Sequence, residues 1–306
     1  MIQRYMMKAS KADMNDDAKA LGRVAFVDGR GDMPMIEVTT PWSSAEIYPH
    51  GAHVTHFKKK DEPPLLFLSQ CGRFADDQPI RGGIPVIFPW FGPREGLGQH
   101  GFARIKTWDL KEFIPAADGS VTIRFSLPAC PEASGYPAFT ADYIVTVNRD
   151  LALKLVVTNQ SKDREFVFEN CLHTYFSVSD ATAIAISGLN GVSYLDKVAS
   201  FLEKTETGDA IRISSEVDRI YQNTTGTVEI LDSRFGRRIR VEKSGSASTV
   251  VWNPWITKAQ QMSDFGNDEY EQMVCVESGN VAANSITLPP GATSTLEVRL
   301  SSGPLK

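Results

Sequence analysis

The chain is poor in the features that mark secreted, membrane-spanning and nucleic-acid-binding proteins. Its 306 residues include only four cysteines, none in a Cys-X-X-Cys pair, so we expect neither a disulfide nor a zinc site. No apolar run approaches the roughly 20 residues of a membrane span, and the N-terminus lacks the pattern of a secretory signal. The formal net charge of −5 gives no basic field for nucleic acid or an anionic membrane. These absences predict a soluble cytoplasmic protein.

Helical periodicity is also scarce. Only Lys258–Phe265 fits a short helix, and residues 1–22 are polar and mixed in charge, which predicts a flexible or weakly ordered N-terminal arm. No linker or shift in composition divides the rest of the chain. Residues 23–306 are therefore predicted to form a single domain.

The pattern that dominates this domain has a period of two residues. Thr140–Val147 and Leu151–Thr158 alternate apolar with polar residues on either side of Asn148–Asp150, which predicts a hairpin. Short runs of the same kind, separated by turn residues, are Ala45–Tyr48, Ala52–Phe57, Val121–Leu127, Phe166–Leu172, Thr227–Leu231, Arg238–Val241, Thr249–Trp252 and Leu296–Leu300. Many short strands with frequent turns indicate an all-β fold, an antiparallel β-sandwich or barrel.

Two apolar runs each contain one titratable side chain that is costly to bury. His173 lies within Glu169–Phe176, and Glu277 lies within Met273–Asn280. Burying a charge costs several kcal/mol unless it is paired or neutralised. A lone buried histidine is more often a satisfied core group, and a buried glutamate can belong to a structural ion pair. The alternative is that the two side chains act together as an acid and a base.

A third segment is rich in glycine and arginine. Arg81–Gly92 contains three glycines, which permit close backbone approach, and Arg104 follows shortly after it. Two guanidinium groups suit a phosphate or a carboxylate. Trp90, Phe91 and Trp108 are predicted to form an aromatic rim that stacks on a sugar. The alternative is a turn-rich loop with solvated arginines.

Other clusters of polar residues have simpler explanations. The acidic residues in Asp264–Glu269 are expected to lie in a solvated turn. His50, His53 and His56 are spaced by three, which on a strand places successive members on opposite faces. They are therefore predicted to be structural, and no metal site is expected.

Six segments together resemble the hexose-6-phosphate mutarotase branch of the aldose 1-epimerase family. They occur in the family's order and span about residues 35 to 300, so the resemblance covers nearly the whole domain. The six segments are Arg81–Pro85, Gln99–Arg104, Leu172–Phe176, Glu216–Tyr221, Val251–Trp255 and Val274–Asn280.

The resemblance implies a large antiparallel β-sandwich of the galactose-mutarotase type with few short helices. It implies an isomerase that interconverts the α and β anomers of a hexose 6-phosphate, with glucose 6-phosphate favoured, and that needs no cofactor or metal. His173 matches the general acid and Glu277 the general base. The positions that match substrate-binding residues are Arg81, Gln99, Arg104 and Asp218, with His100 as a further contact.

This chemistry requires two proton transfers. One group removes the proton of the anomeric hydroxyl while another delivers a proton to the ring oxygen, and the open aldehyde rotates and recloses. We expect an ionised Glu277 and a protonated His173 on opposite sides of the sugar, with acidic neighbours favouring the imidazolium.

Three other functions remain open from the residues. The first is a β-sandwich that binds a phosphosugar without catalysis, and the second is an epimerase of unphosphorylated aldoses. The third is a glycoside hydrolase in which Glu277 works with Asp218 or Asp264. The expected partner is a small-molecule phosphosugar, with no nucleic acid and no membrane, and the protein is expected to be a monomer.

Overall fold

The computed structural model of the protein describes residues 22–305, so the arm predicted for residues 1–22 lies, apart from Gly22, outside the described residues. Antiparallel strands dominate the described part. In chain order they are β1 Arg23–Asp28, β2 Pro34–Thr39, β3 Ser43–Tyr48, β4 His53–Lys59, β5 Val86–Ile87, β6 Pro93–Arg94, β7 Gly98–Gln99, β8 Asp109–Pro115, β9 Val121–Ser126, β10 Phe139–Val147, β11 Leu151–Asn159, β12 Phe166–Phe168, β13 Asn170–Leu172, β14 Tyr175–Ser177, β15 Ile184–Ser187, β16 Ser193–Asp196, β17 Leu202–Thr205, β18 Val217–Gln222, β19 Val228–Asp232, β20 Arg237–Ser244, β21 Ser248–Asn253, β22 Met273–Asn280, β23 Ile286–Leu288 and β24 Thr293–Pro304.

Helices are few and short. Within residues 22–305 there is one α-helix, α1, at Trp255–Gln261. Single 3-10 turns occur at Arg30–Asp32, Ala103–Ile105, Pro131–Gly135, Glu269–Gln272 and Ala282–Asn284. No helix in this part of the chain is long and apolar enough to cross a membrane.

Two eight-stranded sheets form the body of the fold. The first has the order β15-β19-β20-β24-β11-β10-β9-β8. The second has the order β17-β16-β18-β21-β22-β13-β5, and β14 also pairs with β22. Strands β1 to β4 form a separate four-stranded sheet, and β12-β23 and β6-β7 are two-stranded. The prediction of a large antiparallel β-sandwich is confirmed.

The main hydrophobic core lies between these two large sheets. In β11 the residues alternate strictly between buried and half-buried, which is the pattern of a strand with one face in a core. The predicted hairpin is confirmed, because β10 and β11 pair along their whole length from Phe139 with Asn159 to Val147 with Leu151. Core side chains from the two sheets include Ile123, Val145, Leu153, Leu172, Phe176, Val251 and Val274.

Strand β22 is buried on both faces, unlike β11. All eight of its residues are buried, so its sequence shows an unbroken apolar run instead of alternation. Val274 and Val276 point into the main core, while Cys275 belongs to a second cluster on the other face with Tyr175 and Trp252. By the alternation of the strand, Glu277 lies on this second face with Cys275.

Two predicted elements differ from the structure. The run Phe166–Leu172 is two strands, β12 and β13, because Glu169 interrupts it and its carboxylate accepts the backbone N–H groups of Phe91 and Ala282. The helix predicted at Lys258–Phe265 instead occupies Trp255–Gln261. It starts two residues after Asn253, whose side-chain oxygen accepts the N–H of Trp255.

One glycine is fixed by a close approach of two backbone segments. Gly101 has φ +66°, and a Cβ there would lie 2.0 Å from the carbonyl oxygen of Phe88. Gly98 has φ +83° with open space around it. Both Gly→Ala variants carry the strain of positive φ, but Gly101→Ala should lose about 1–3 kcal/mol more stability because of the clash. Urea unfolding of the two variants measures this difference, and equal losses would contradict it.

Candidate active site

The pairing of β22 brings His173 and Glu277 face to face. Strand β13 pairs Leu172 with Ser278, and after a gap of two residues β14 resumes pairing with β22 in the same register. That register places His173 directly opposite Glu277, and opposed residues in an antiparallel pair point to the same face. Nδ1 of His173 lies 3.3 Å from Oε1 of Glu277. The two candidate residues are thus cross-strand neighbours.

The alternation of the strand puts this pair on the face away from the main core. Leu172 points into the core, whereas Cys171, His173 and Tyr175 belong to the other face. The ring of His173 stacks on that of Tyr175, with centroids 4.8 Å apart and planes at 10°. This stacking fixes the orientation of the imidazole ring beside the carboxyl group of Glu277.

A cavity of about 180 Å³ opens above this pair. Six of the seven predicted site residues line it, and the seventh, Arg104, lies next to it. The lining residues are Arg81, Phe91, Gln99, His100, His173, Lys197, Asp218, Val250, Trp252, Lys258, Met262 and Glu277. Loops from distant parts of the chain therefore converge over one face of the second sheet.

Arg81 is held rigidly at the wall of the cavity. Its Nε and Nη2 donate to Oδ2 of Asp264 at 3.1 and 3.0 Å, and its Nη1 donates to the hydroxyl of Tyr175 at 3.0 Å. The expectation that Asp264 is a solvated turn residue was therefore wrong. The ion pair also leaves Asp264 unsuited to serve as the second carboxylate of a glycoside hydrolase.

Arg104 provides a second guanidinium group beside the first. Its Nη2 donates to the backbone oxygen of Gln99 at 2.7 Å, while its Nε is buried with no partner among residues 22–305. Burial, and then repulsion from Arg81, lower the pKa of Arg104 to about 10. An anion bound here would offset the repulsion between the two arginines.

Lys197 is a cavity residue that the sequence did not reveal. It follows β16 and its Nζ lies 2.8 Å from Oδ2 of Asp218, which points from β18 into the cavity. A single lysine after a short strand has the same sequence appearance as any solvated turn residue, so no pattern marked it. Lys258, on α1, lines the same cavity and pairs with Glu216 at 3.1 Å.

The predicted aromatic rim was correct only in part. Phe91 lines the cavity, but Trp90 and Trp108 are only 5% and 1% exposed. Trp108 packs in the main core and donates its indole N–H to the carbonyl oxygen of Ala103. The tryptophan that does line the cavity is Trp252, from β21.

The electrostatic surroundings of the pair differ from expectation. Burial, and then Arg81, Arg104 and Lys197, lower the pKa of His173 well below its usual range. Burial, and then Asp218, raise the pKa of Glu277 well above its usual range. The expected acidic neighbours of His173 are therefore outweighed by cations, which oppose an imidazolium.

The two shifts favour an uncharged carboxyl group on Glu277 and a neutral imidazole on His173 in the protein alone. Nδ1 of His173 is buried and makes no hydrogen bond to residues 22–305, since its contact with Glu277 is poorly aligned. Nε2 is the ring nitrogen available to a molecule in the cavity.

His100 presents a proton donor to the same cavity. Its Nδ1 accepts the backbone N–H of Gly92 at 3.2 Å, so a neutral ring carries its proton on Nε2. Burial, and then Arg104, lower the pKa of His100 well below its usual range, which keeps the ring neutral. Its ring centroid lies 5.6 Å from that of His173.

The donor atoms of His173, Cys275 and Glu277 lie within 4.8 Å of one another, a spacing suited to a metal ion. The cations Arg81 and Lys197 act on the same groups and disfavour a further positive charge there.

The three histidines near β4 occupy separate environments. Nε2 of His50 lies 2.7 Å from the carbonyl oxygen of Gln78, and Nε2 of His53 lies 2.7 Å from that of Gly82. His53 is fully buried, whereas His56 is half-buried. The rings of His50 and His53 thus each lie against a backbone carbonyl oxygen.

The family model of aldose 1-epimerases matches residues 34–301. The chain belongs to the aldose 1-epimerase family. The protein is therefore an epimerase, and the six sequence segments that resembled this family identified it correctly.

Among the relatives of this epimerase are two curated proteins and a solved structure. A protein of Cenchrus ciliaris, named "Putative glucose-6-phosphate 1-epimerase", is 37% identical over 269 residues, which cover 85% of this chain and 82% of the relative. A protein of Escherichia coli K12 with the same name is 33% identical, over 81% of this chain and 83% of the relative. A crystal structure from Salmonella typhimurium, described as a "putative mutarotase", has a TM-score of 0.84 and 27% identity, with all of both chains covered.

A more distant structure shares the fold of this epimerase. The galactose mutarotase-like protein of Clostridium acetobutylicum has a TM-score of 0.68 at 15% identity, over 92% of this chain and 99% of that one. The fold is therefore of the galactose-mutarotase type.

The ion pair of Arg81 with Asp264 should contribute more to the stability of the folded protein than the neighbouring pair of Lys258 with Glu216. Asp264→Asn removes a largely buried bidentate partner and should cost about 1–3 kcal/mol of stability. Glu216→Gln neutralises a more exposed pair and should cost under about 1 kcal/mol. Urea unfolding of both variants tests this order, and an equal or reversed ranking would show that Asp264 does not hold Arg81.

Proposed function

We propose that this epimerase interconverts the α and β anomers of a hexose 6-phosphate, with glucose 6-phosphate as the favoured substrate. The observation that carries the proposal is the cross-strand pair of His173 and Glu277 in a cavity bordered by Arg81 and Arg104. The pair suits acid–base ring opening, and the two arginines suit a phosphate. The names of the two curated relatives support the phosphorylated substrate.

In the proposed reaction, Glu277 accepts the proton of the anomeric hydroxyl and Nε2 of His173 donates a proton to the ring oxygen. The bond between the anomeric carbon and the ring oxygen breaks, and an aldehyde forms. Rotation and reclosure give the other anomer while both protons return. The expectation of groups on opposite sides of the sugar does not suit two adjacent side chains. Side by side, they can reach two oxygens that are bonded to the same carbon.

The phosphate would also prepare the acid for this reaction. Arg81, Arg104 and Lys197 lower the pKa of His173, and a bound phosphate supplies negative charge that offsets them. Binding of a phosphosugar would therefore favour the imidazolium, and the positive charge of the imidazolium would in turn stabilise the carboxylate beside it. An unphosphorylated sugar lacks this effect, so it should be both bound more weakly and turned over more slowly.

The remaining cavity residues would orient the sugar ring. Asp218, fixed by Lys197, offers a carboxylate oxygen to a hydroxyl, and Nε2 of His100 and the side chain of Gln99 offer further polar contacts. No cofactor or metal takes part in this proposal. The single domain at 23–306, the cytoplasmic location and the monomeric state remain predictions.

The epimerase should prefer phosphorylated sugars. We expect kcat/KM for glucose 6-phosphate to exceed that for glucose or galactose by at least about tenfold, since one charge-assisted hydrogen bond contributes roughly 1.5–3 kcal/mol. Anomer exchange followed by NMR, corrected for the spontaneous reaction, measures each rate. Arg104→Met is the matched control and should lose activity on glucose 6-phosphate but little on glucose. Equal or faster exchange of the free sugars would rule out the phosphate assignment.

Removal of either candidate catalytic group should abolish most of the rate enhancement. His173→Ala and Glu277→Gln should each fold and lose about 100- to 10,000-fold in kcat, the usual contribution of a general acid or base. The same NMR assay with circular dichroism of each variant tests this. A folded variant with near-normal kcat would remove that residue from the mechanism. Binding of glucose 6-phosphate by the parent protein without any rate enhancement would instead favour the non-catalytic function.

A further inference from the structure

The geometry around Glu277 points to Cys171 as a positioning residue for this carboxylate: we infer that its thiol orients the proposed base while leaving it strongly basic. The inference rests on the proposed function, in which Glu277 accepts the proton of the anomeric hydroxyl.

The thiol makes the one hydrogen bond that the carboxyl group of Glu277 accepts from residues 22–305. Sγ of Cys171 lies 3.4 Å from Oε2 of Glu277, while Oε1 faces His173 without an aligned hydrogen bond. Cys171 and Glu277 are 0% and 1% exposed. A buried carboxylate with a single protein donor depends on that donor for its orientation.

The register of β13 and β22 provides the space for this contact. Cys171 pairs with Gly279, which has no side chain, so the position across from the thiol is open. A Cβ at Gly279 would lie 2.8 Å from Cβ of Cys171 and 2.4 Å from the carbonyl oxygen of Asn170. The thiol therefore turns along the diagonal to Glu277, the next residue of β22 on the same face.

Because a thiol is a weak hydrogen-bond donor, it lowers the basicity of the carboxylate less than a stronger donor would. A donor that stabilises the ionised carboxylate lowers its pKa, and a strong donor would reduce its basicity. The S–H group fixes the direction of Oε2 at a smaller loss of basicity. The other charged or titratable groups around Cys171 and Glu277, from every neighbouring element, are Arg81, Glu169, His173, Lys197, Asp218, Lys243 and Cys275.

The first test compares the pH dependence of kcat for Cys171→Ala and Cys171→Ser. In the complex with a phosphosugar, where the proposed pair is a carboxylate and an imidazolium, kcat falls as the pH drops through the pKa of Glu277, because only the carboxylate accepts a proton. Loss of the donor in Cys171→Ala should raise that pKa and move the acidic limb up by about half a pH unit, which is about a threefold lower rate at acidic pH. Cys171→Ser restores a donor, so its limb should lie at or below that of the parent.

Cys275→Ala is the matched control for the loss of a buried thiol. Cys275 is equally buried and lies on the same face, but it makes no hydrogen bond to Glu277. We expect its acidic limb to coincide with that of the parent. An unshifted limb in Cys171→Ala, or the same upward shift in the Ala and Ser variants at position 171, would overturn the inference.

A second measurement does not depend on activity or on the folding of the Cys171 variants. In the infrared spectrum of the parent, one S–H stretching band should be shifted to low frequency by the carboxylate, and Glu277→Gln should move it back upwards. A band that does not respond to Glu277→Gln would overturn the inference even in an active enzyme. If the parent shows the shifted band but no anomer exchange, the proposed function fails while the thiol contact stands.

Discussion

The register between β22 and the interrupted strand opposite it is the constraint on which the site depends. Because β13 and β14 keep one register across the gap between them, His173 meets Glu277 directly across the strands. Side chains from β18 and β21 extend the same face, so Asp218 and Trp252 join the pair without any further adjustment of the backbone. The loops that carry Arg81 and Arg104 cover this face of the sheet. The strands thus carry the proposed acid and base, and the loops add the guanidinium groups that border the cavity.

Charge is distributed in this site so that the proposed catalytic pair is neutral while its surroundings are cationic. Burial disfavours charge on both His173 and Glu277, and Arg81 and Lys197 are each held by a carboxylate, Asp264 and Asp218. Fixed ion pairs of this kind keep cationic groups in place without a ligand, which limits the reorganisation that binding requires. An anionic ligand then changes the potential at the histidine more than it changes the structure around it.

The sequence predicted the positions of the strands better than their pairing and register. Alternation at Thr140–Thr158 defined a hairpin because one face of β10 and β11 lies in the core, and two titratable groups in apolar runs marked His173 and Glu277. Which strands pair, and in which register, depends on contacts between distant residues, so the 3.3 Å approach of those groups was not predictable from either segment. Lys197 carries no local signal, and the burial of Trp108 was decided by tertiary packing.

The face-alternating arrangement of β22 also constrains how this family can change its chain length. Val274 and Val276 belong to the core, while Cys275 and Glu277 belong to the site. Insertion or deletion of one residue in β22 would move the side chains beyond that point to the opposite face of the sheet. Glu277 would then point into the hydrophobic core. Loops around the cavity have no such restriction, since they can lengthen without reversing a strand. Divergence in substrate choice is therefore expected to proceed through loop length, whereas the strand that carries the proposed base is held to a fixed number of residues.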